Sequence, residues 1–143
     1  KNLDIPVLSI PEIVSEYLSD KNFSKVGILS TKLTLSKNLY QSELKKYNIN
    51  LIRPEIKEQK LITGIILKQL NGKIKSIDKE KLINIINNLN KRGANTCLIA
   101  CTDIPLVLEG IKSTMKLIDC TKVYAKKAAE LSYNKNFEVD KNG

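Results

Sequence analysis

Short apolar runs alternate with amphipathic stretches along most of this chain. The runs Ile5–Ile10, Lys25–Ser30, Ile49–Arg53, Thr96–Cys101 and Met115–Ile118 are of strand length, and most are continuously apolar. That pattern marks strands buried on both faces rather than strands with one wet side. Between them the apolar residues recur at helical spacing. Pro11 and Glu12 suit the first turn of a helix running to about Ser19. Leu35, Leu39 and Leu44 fall on one side of a helix predicted over 34–47. A long helix is predicted from Glu55 to Leu70, stopped by Asn71-Gly72. After a loop over 73–78, Asp78 is the predicted N-cap of a helix through Asn90, with Leu82, Ile85, Ile86 and Leu89 on its inner stripe. Helices over 103–111 and 121–133 complete the alternation. The predicted class is α/β: an open, mostly parallel four- to five-stranded sheet with helices on both faces.

Composition narrows this picture. A chain of 143 residues with 42% hydrophobic content can bury one core, and no apolar run reaches a membrane span. Nothing at the start has the pattern of a signal peptide. The first residue is Lys1 rather than Met, so a processed product or a fragment is expected. Three cysteines, Cys97, Cys101 and Cys120, form no paired-ligand spacing and suit a reduced, cytoplasmic setting. The net charge of +9 raises nucleic acid as a partner, but only Arg53 and Arg92 are arginines and aromatics are 5%. Base reading and stacking rely on those two residue classes, which argues against nucleic acid as the main partner.

The chemistry concentrates at two strand tips. Thr96–Cys101 ends on a thiol and is followed at once by Thr102, Asp103 and a helix start. In an open parallel sheet the ligand crevice lies at such tips, and a helix start favours thiolate. Cys101 is therefore a candidate reactive cysteine; the plainer alternative is a small buried hydrophobe. Cys97, four residues earlier on the same strand face, is predicted to pack in the core. Cys120 follows the strand-end Asp119 and could be exposed near the same edge, in a structural or incidental role. The second tip, Val26-Gly27-Ile28-Leu29-Ser30-Thr31, is followed by Thr34 and Ser36. Its hydroxyls could hold a carboxylate or phosphate, or could serve only as turn and N-cap groups. The sequence has no histidine, which excludes a Cys-His dyad within the chain and removes the commonest metal ligand. Nucleotide-binding glycine motifs and the hydrolase GxSxG are absent too.

Taken in order, these segments resemble the aspartate/glutamate racemase family. Cys101-Thr102-Asp103-Ile104-Pro105-Leu106 is similar to the family's second-cysteine motif, GCTE followed by apolar residues. Gly93-Ala94 resembles its upstream "GA", and Val26–Thr31 with Thr34 and Tyr40 its "VGLLAT…T…Y" segment. Leu117-Ile118-Asp119 matches its "LID" strand, and Ile5-Pro6-Val7 resembles the start of its second lobe.

The resemblance implies an enzyme that needs no cofactor and no metal. Two cysteines would flank the α-carbon of an acidic amino acid, with Cys101 as one of them. It implies that Thr102, Thr31, Thr34 and Asp103 contribute to substrate binding, and that the parent is a homodimer without membrane attachment. Residues 1–133 would be the C-terminal lobe and 134–143 a flexible tail. Three departures from the pattern stand out. No Cys-Asn-Thr segment precedes Ile5, so the lobe with the first cysteine is expected to be missing and the chain alone to be folded but inactive. Leu70 stands where aspartate-type relatives have the lysine of a "KxG" segment. Ala100 and Asp103 replace the usual Gly and Glu. Two other outcomes are compatible with the resemblance: a hydantoin-racemase or maleate-isomerase type of enzyme, and a noncatalytic binding module that kept the fold.

Overall fold

The computed structural model describes residues 7–139, with side chains from 7 to 133. Four strands form one sheet: β1 (Lys25–Ser30), β2 (Asn50–Ile52), β3 (Thr96–Ala100) and β4 (Lys116–Asp119). Their spatial order is β2-β1-β3-β4, and every pair is parallel. From β1 the chain moves outward to β2, then returns across β1 to lay down β3 and, beyond it, β4. The direction of winding therefore reverses between β1 and β3. In open parallel sheets that reversal opens a crevice at the carboxyl ends of the two strands.

Helices cover both faces because each strand is apolar on both. α1 (Ile10–Asp20), α3 (Leu39–Lys46) and α7 (Cys120–Val139) lie on one side. There Val14, Leu18 and Leu44 pack against Val26, Ile28, Leu98 and Ile118. α4 (Ile56–Leu70), α5 (Ser76–Lys91) and α6 (Ile104–Val107) cover the other side. There Ile62, Leu82, Ile86 and Leu89 pack against Leu29, Cys97 and Ile99. Gly27 lets α5 approach closely, since a Cβ at that position would lie 3.2 Å from Leu89 Cβ and Cδ1.

Several boundaries differ from the sequence expectation. Ile5 and Pro6 of the first predicted strand lie outside the described residues; 7–9 are irregular, and α1 begins at Ile10. The Ser9 carbonyl accepts the Ile13 N–H at 3.0 Å, so the helix claims the last apolar residue of that run. The helix predicted over 34–47 is two helices, α2 (Lys32–Ser36) and α3, because Asn38 adopts a left-handed φ of 54° between them. Asp78 does not cap α5 from outside. It sits in the first turn, where Oδ2 accepts the Lys75 N–H at 3.1 Å and Oδ1 pairs with Lys68 Nζ at 2.5 Å. That pairing holds the buried Asp78 carboxyl below the usual carboxylate range. The helix predicted over 103–111 is the single turn α6, ended by a bend in which Gly110 has φ 75°. α7 begins at Cys120 and continues to Val139, past the expected end at Tyr133. No helix among the described residues is long and apolar enough to cross a membrane.

Candidate active site at the carboxyl edge of β1 and β3

Ser30 and Ala100 are paired across β1 and β3. The next residue on each chain, Thr31 and Cys101, therefore leaves the sheet on either side of the winding reversal. This register brings two segments 70 residues apart in sequence to one edge.

At the β1 tip, Thr31 caps α2. Its Oγ1 accepts the Thr34 N–H at 3.2 Å and lies 3.0 Å from Thr34 Oγ1. The two half-buried hydroxyls thus form one unit, already bonded to each other. The Ser30 carbonyl above them accepts from Gln59 Nε2 at 3.0 Å, which ties the tip to α4. Gln59 carries no signal of this role in the sequence: it is one polar residue in a long amphipathic helix.

The β3 tip is more open. Cys101 is half-buried, its inner side against the apolar cluster under α4, α5 and α6. Its Sγ lies 3.8 Å from Asp103 Oδ2, within reach of a weak S–H donor contact. Thr102 is exposed and forms part of the wall of a 520 Å³ open cavity between α6 and α7. Leu106, Glu109, Asp119 and Lys122 are among its other walls, whereas Cys101 is not. Asp119, marked in the sequence as a strand end and as the last residue of the "LID" segment, accepts through Oδ1 the N–H groups of Thr121 and Lys122 at 2.9 and 3.3 Å. A helix of four residues offers little macrodipole, so α6 gives Cys101 less help than the predicted nine-residue helix would.

The other two thiols are shut away. Cys97 is 0% exposed, and burial pushes its thiol far above the ordinary range. Cys120 is buried rather than exposed at the edge. Burial, with the Asp119 carboxylate adding to it, pushes its thiol up to about 12, while the hydrogen bond with Tyr40 pulls the other way. Tyr40 hydroxyl ionisation is pushed up mainly by burial as well. Of the three sulfurs, only Cys101 reaches solvent. Leu70 is 64% exposed at the end of α4, and the neighbouring Lys68 is already committed to Asp78. Among the described residues, no three His, Cys, Asp or Glu side chains gather in a way that could hold a metal ion.

Comparison with known proteins bears on the family and the fold. The model of the family described as Asp/Glu/Hydantoin racemase matches residues 1–128. A protein encoded in the pnlA 3' region of Pectobacterium carotovorum subsp. carotovorum is 26% identical over 91% of this chain and 87% of its own length. Glutamate racemase of Hydrogenobaculum sp. is 28% identical over 81% of this chain, but over only 44% of its own length. Among solved structures, an aspartate racemase homologue from Pyrococcus horikoshii OT3 superposes with a TM-score of 0.81 at 24% identity, covering 92% of this chain and 58% of that one. Picrophilus torridus aspartate racemase gives 0.70 at 25% identity, over 82% and 49%. The chain thus spans about half the length of the racemases it matches.

Proposed function

This chain belongs to the Asp/Glu/hydantoin racemase family, and from that premise we propose that it supplies one catalytic face of a cofactor-independent racemase acting on an acidic amino acid. The observation that carries the proposal is the position of Cys101: half-buried, at the carboxyl edge, beside the winding reversal of the sheet. In the forward direction a thiolate removes the α-proton, breaking C–H and forming S–H, and leaves the electron pair on the α-carbon. A thiol on the opposite face then gives its proton to that carbon and becomes thiolate. Cys101 is one of these sulfurs. Asp103 Oδ2, 3.8 Å from its Sγ, is placed to orient the sulfur. The second sulfur comes from a lobe outside this chain, since Cys97 and Cys120 are sealed in the core.

Each remaining site residue has a stated task. An α-proton beside a carboxylate is very weakly acidic, so the developing charge needs oriented donors in a sheltered site. The hydroxyl of Thr102 offers such a donor at the rim, and the Thr31–Thr34 pair has one O–H left after the bond between the two hydroxyls. Asp103 acts on the sulfur and only through it on substrate. An acidic substrate accords with the racemase names of the relatives, and we place the enzyme in the cytoplasm as a homodimer.

Racemisation of L-aspartate and L-glutamate, followed by α-proton exchange in D2O, tests this. The chain alone should exchange neither substrate. Joined to a lobe bearing a Cys-Asn-Thr segment it should racemise one of them, and Cys101→Ala should remove the activity. Racemisation by the chain alone, lost in Cys101→Ala, would overturn the need for a second lobe. Activity of the two-lobed protein on hydantoins only would move the assignment to that branch of the family. A noncatalytic binding role is the second reading; the exposed Leu70 and the engaged Lys68 favour it, because neither offers the substrate a free ammonium group.

A further inference from the structure

On the far side of β1 from Cys101 the chain builds a second concave surface, which the racemase chemistry does not use. α2, the turn after β2 and the first half of α4 enclose a groove of 410 Å³, within the size range of small-ligand sites. Leu35, Pro54 and Ile56 supply its apolar surface, and Ile56 is 80% exposed. Lys32, Arg53 and Lys60 supply its charge, and no carboxylate lines it.

Arg53 is the unusual member. Its Nε and Nη2 donate to Gln41 Oε1 at 3.2 and 2.8 Å, and Nη2 also donates to Asn38 Oδ1 at 2.6 Å. These acceptors are neutral amides, so the guanidinium is fixed in place while its charge stays uncompensated. Nη1 has no hydrogen-bond partner among the described residues. The backbone is fixed as well: Arg92 Nη1 donates to the Arg53 carbonyl at 2.9 Å. Arg92, the other arginine, has a carboxylate of its own, Glu58 at 3.1 Å. Asn38 is the residue whose left-handed conformation divides the predicted helix in two, and the division is what brings its amide under Arg53. An oriented cation with no counter-charge, next to exposed apolar surface, has already met the ordering cost of binding an anion.

We propose that this groove binds a small organic carboxylate with an apolar body of about five or six carbons, a size within the reach of a small-ligand pocket. The carboxylate meets the free edge of Arg53, with Lys32 and Lys60 adding potential, and the hydrocarbon covers Leu35, Pro54 and Ile56. Gln59 borders both this groove and the β1 tip, but Cys101, Thr102 and Asp103 do not line the groove, so binding there stands whether or not Cys101 is catalytic.

Titration of the full chain with hexanoate, read by backbone amide shifts, tests the proposal. Hexanol and inorganic phosphate are the comparison probes. Hexanoate should give saturable shifts confined to the amides around Leu35, Ile56 and Lys60, and neither hexanol alone nor phosphate alone should match its affinity. Arg53→Gln should weaken hexanoate by about tenfold, the scale of one charge-assisted contact. Lys60→Gln changes an exposed side chain and guards against misfolding of the first variant; it should weaken binding by about threefold. Unsaturable shifts scattered over the surface lysines, equal affinity for hexanol, or unchanged affinity in both variants would each overturn the proposal.

Discussion

Cys97 lies in β3 and Cys101 directly follows its end, four residues on and toward the same apolar cluster, yet their surroundings differ. Cys97 is fully enclosed beneath α5, and burial holds it as a thiol. Cys101 stands just past the strand tip, half-buried against the edge of the same apolar cluster. What separates a packing cysteine from a candidate catalytic one here is the distance from the carboxyl edge. Residue type and the apolar cluster they pack toward are the same for both. The two strand tips differ in a similar way. Thr31 and Thr34 bond to each other and to the start of α2, leaving one hydroxyl hydrogen between them, whereas Thr102 faces open space.

The largest effect that would sharpen this contrast is on turnover. In a two-lobed protein containing this chain, Cys101→Ala should lower racemisation by on the order of 10²–10⁴-fold, the usual worth of a positioned acid or base. Cys97→Ala should leave the residual rate close to that of the parent, measured in the same exchange assay. Equal losses from the two substitutions would erase the distinction.

Stability should show the reverse ranking. Cys97→Ser puts a hydroxyl into an enclosed apolar site and should cost about 1–3 kcal/mol in urea unfolding. Cys101→Ser, at the half-open tip, should stay within about 0.5 kcal/mol. At the threonine tips the expected difference is smaller. Thr31→Ala removes a helix cap and should cost about 1 kcal/mol, while Thr102→Ala should change little.

Charge follows the same division between interior and edge. Asp78 is buried and paired with Lys68, so its carboxyl titrates below the value of an unfolded chain. The unfolded chain then takes up the proton first as pH falls. The contribution of the pair is complete above about pH 4, the ordinary carboxylate value, and is lost as pH drops through the lower folded value. Asp78→Asn should flatten the urea midpoint across that acidic range; an unchanged slope would remove the pair from the account.

The sheet was legible in the sequence because its strands are short, apolar on both faces and separated by helical periodicity, as Val26–Ser30 and Thr96–Ala100 show. Helix ends were less legible. Periodicity in Leu35, Leu39 and Leu44 runs straight through Asn38, and only the left-handed turn there reveals two helices. Asp78 looked like a cap because caps and first-turn acids share residue types; its pairing with Lys68 depends on tertiary contact. Cys101, Thr102 and Asp103 were visible as a strand tip followed by small polar residues. Gln59 was not, since its role arises from the Ser30 carbonyl it reaches across the sheet edge.

The central claim is that Cys101 is the one sulfur open to a bound acidic amino acid. Iodoacetamide labelling of the native chain at neutral pH, with peptide mass spectrometry, measures this directly. The account predicts that Cys101 is modified first, with Cys97 and Cys120 modified only on unfolding, and that L-aspartate or L-glutamate slows the reaction at Cys101. Slow modification without preference among the three thiols, indifferent to either amino acid, would contradict it.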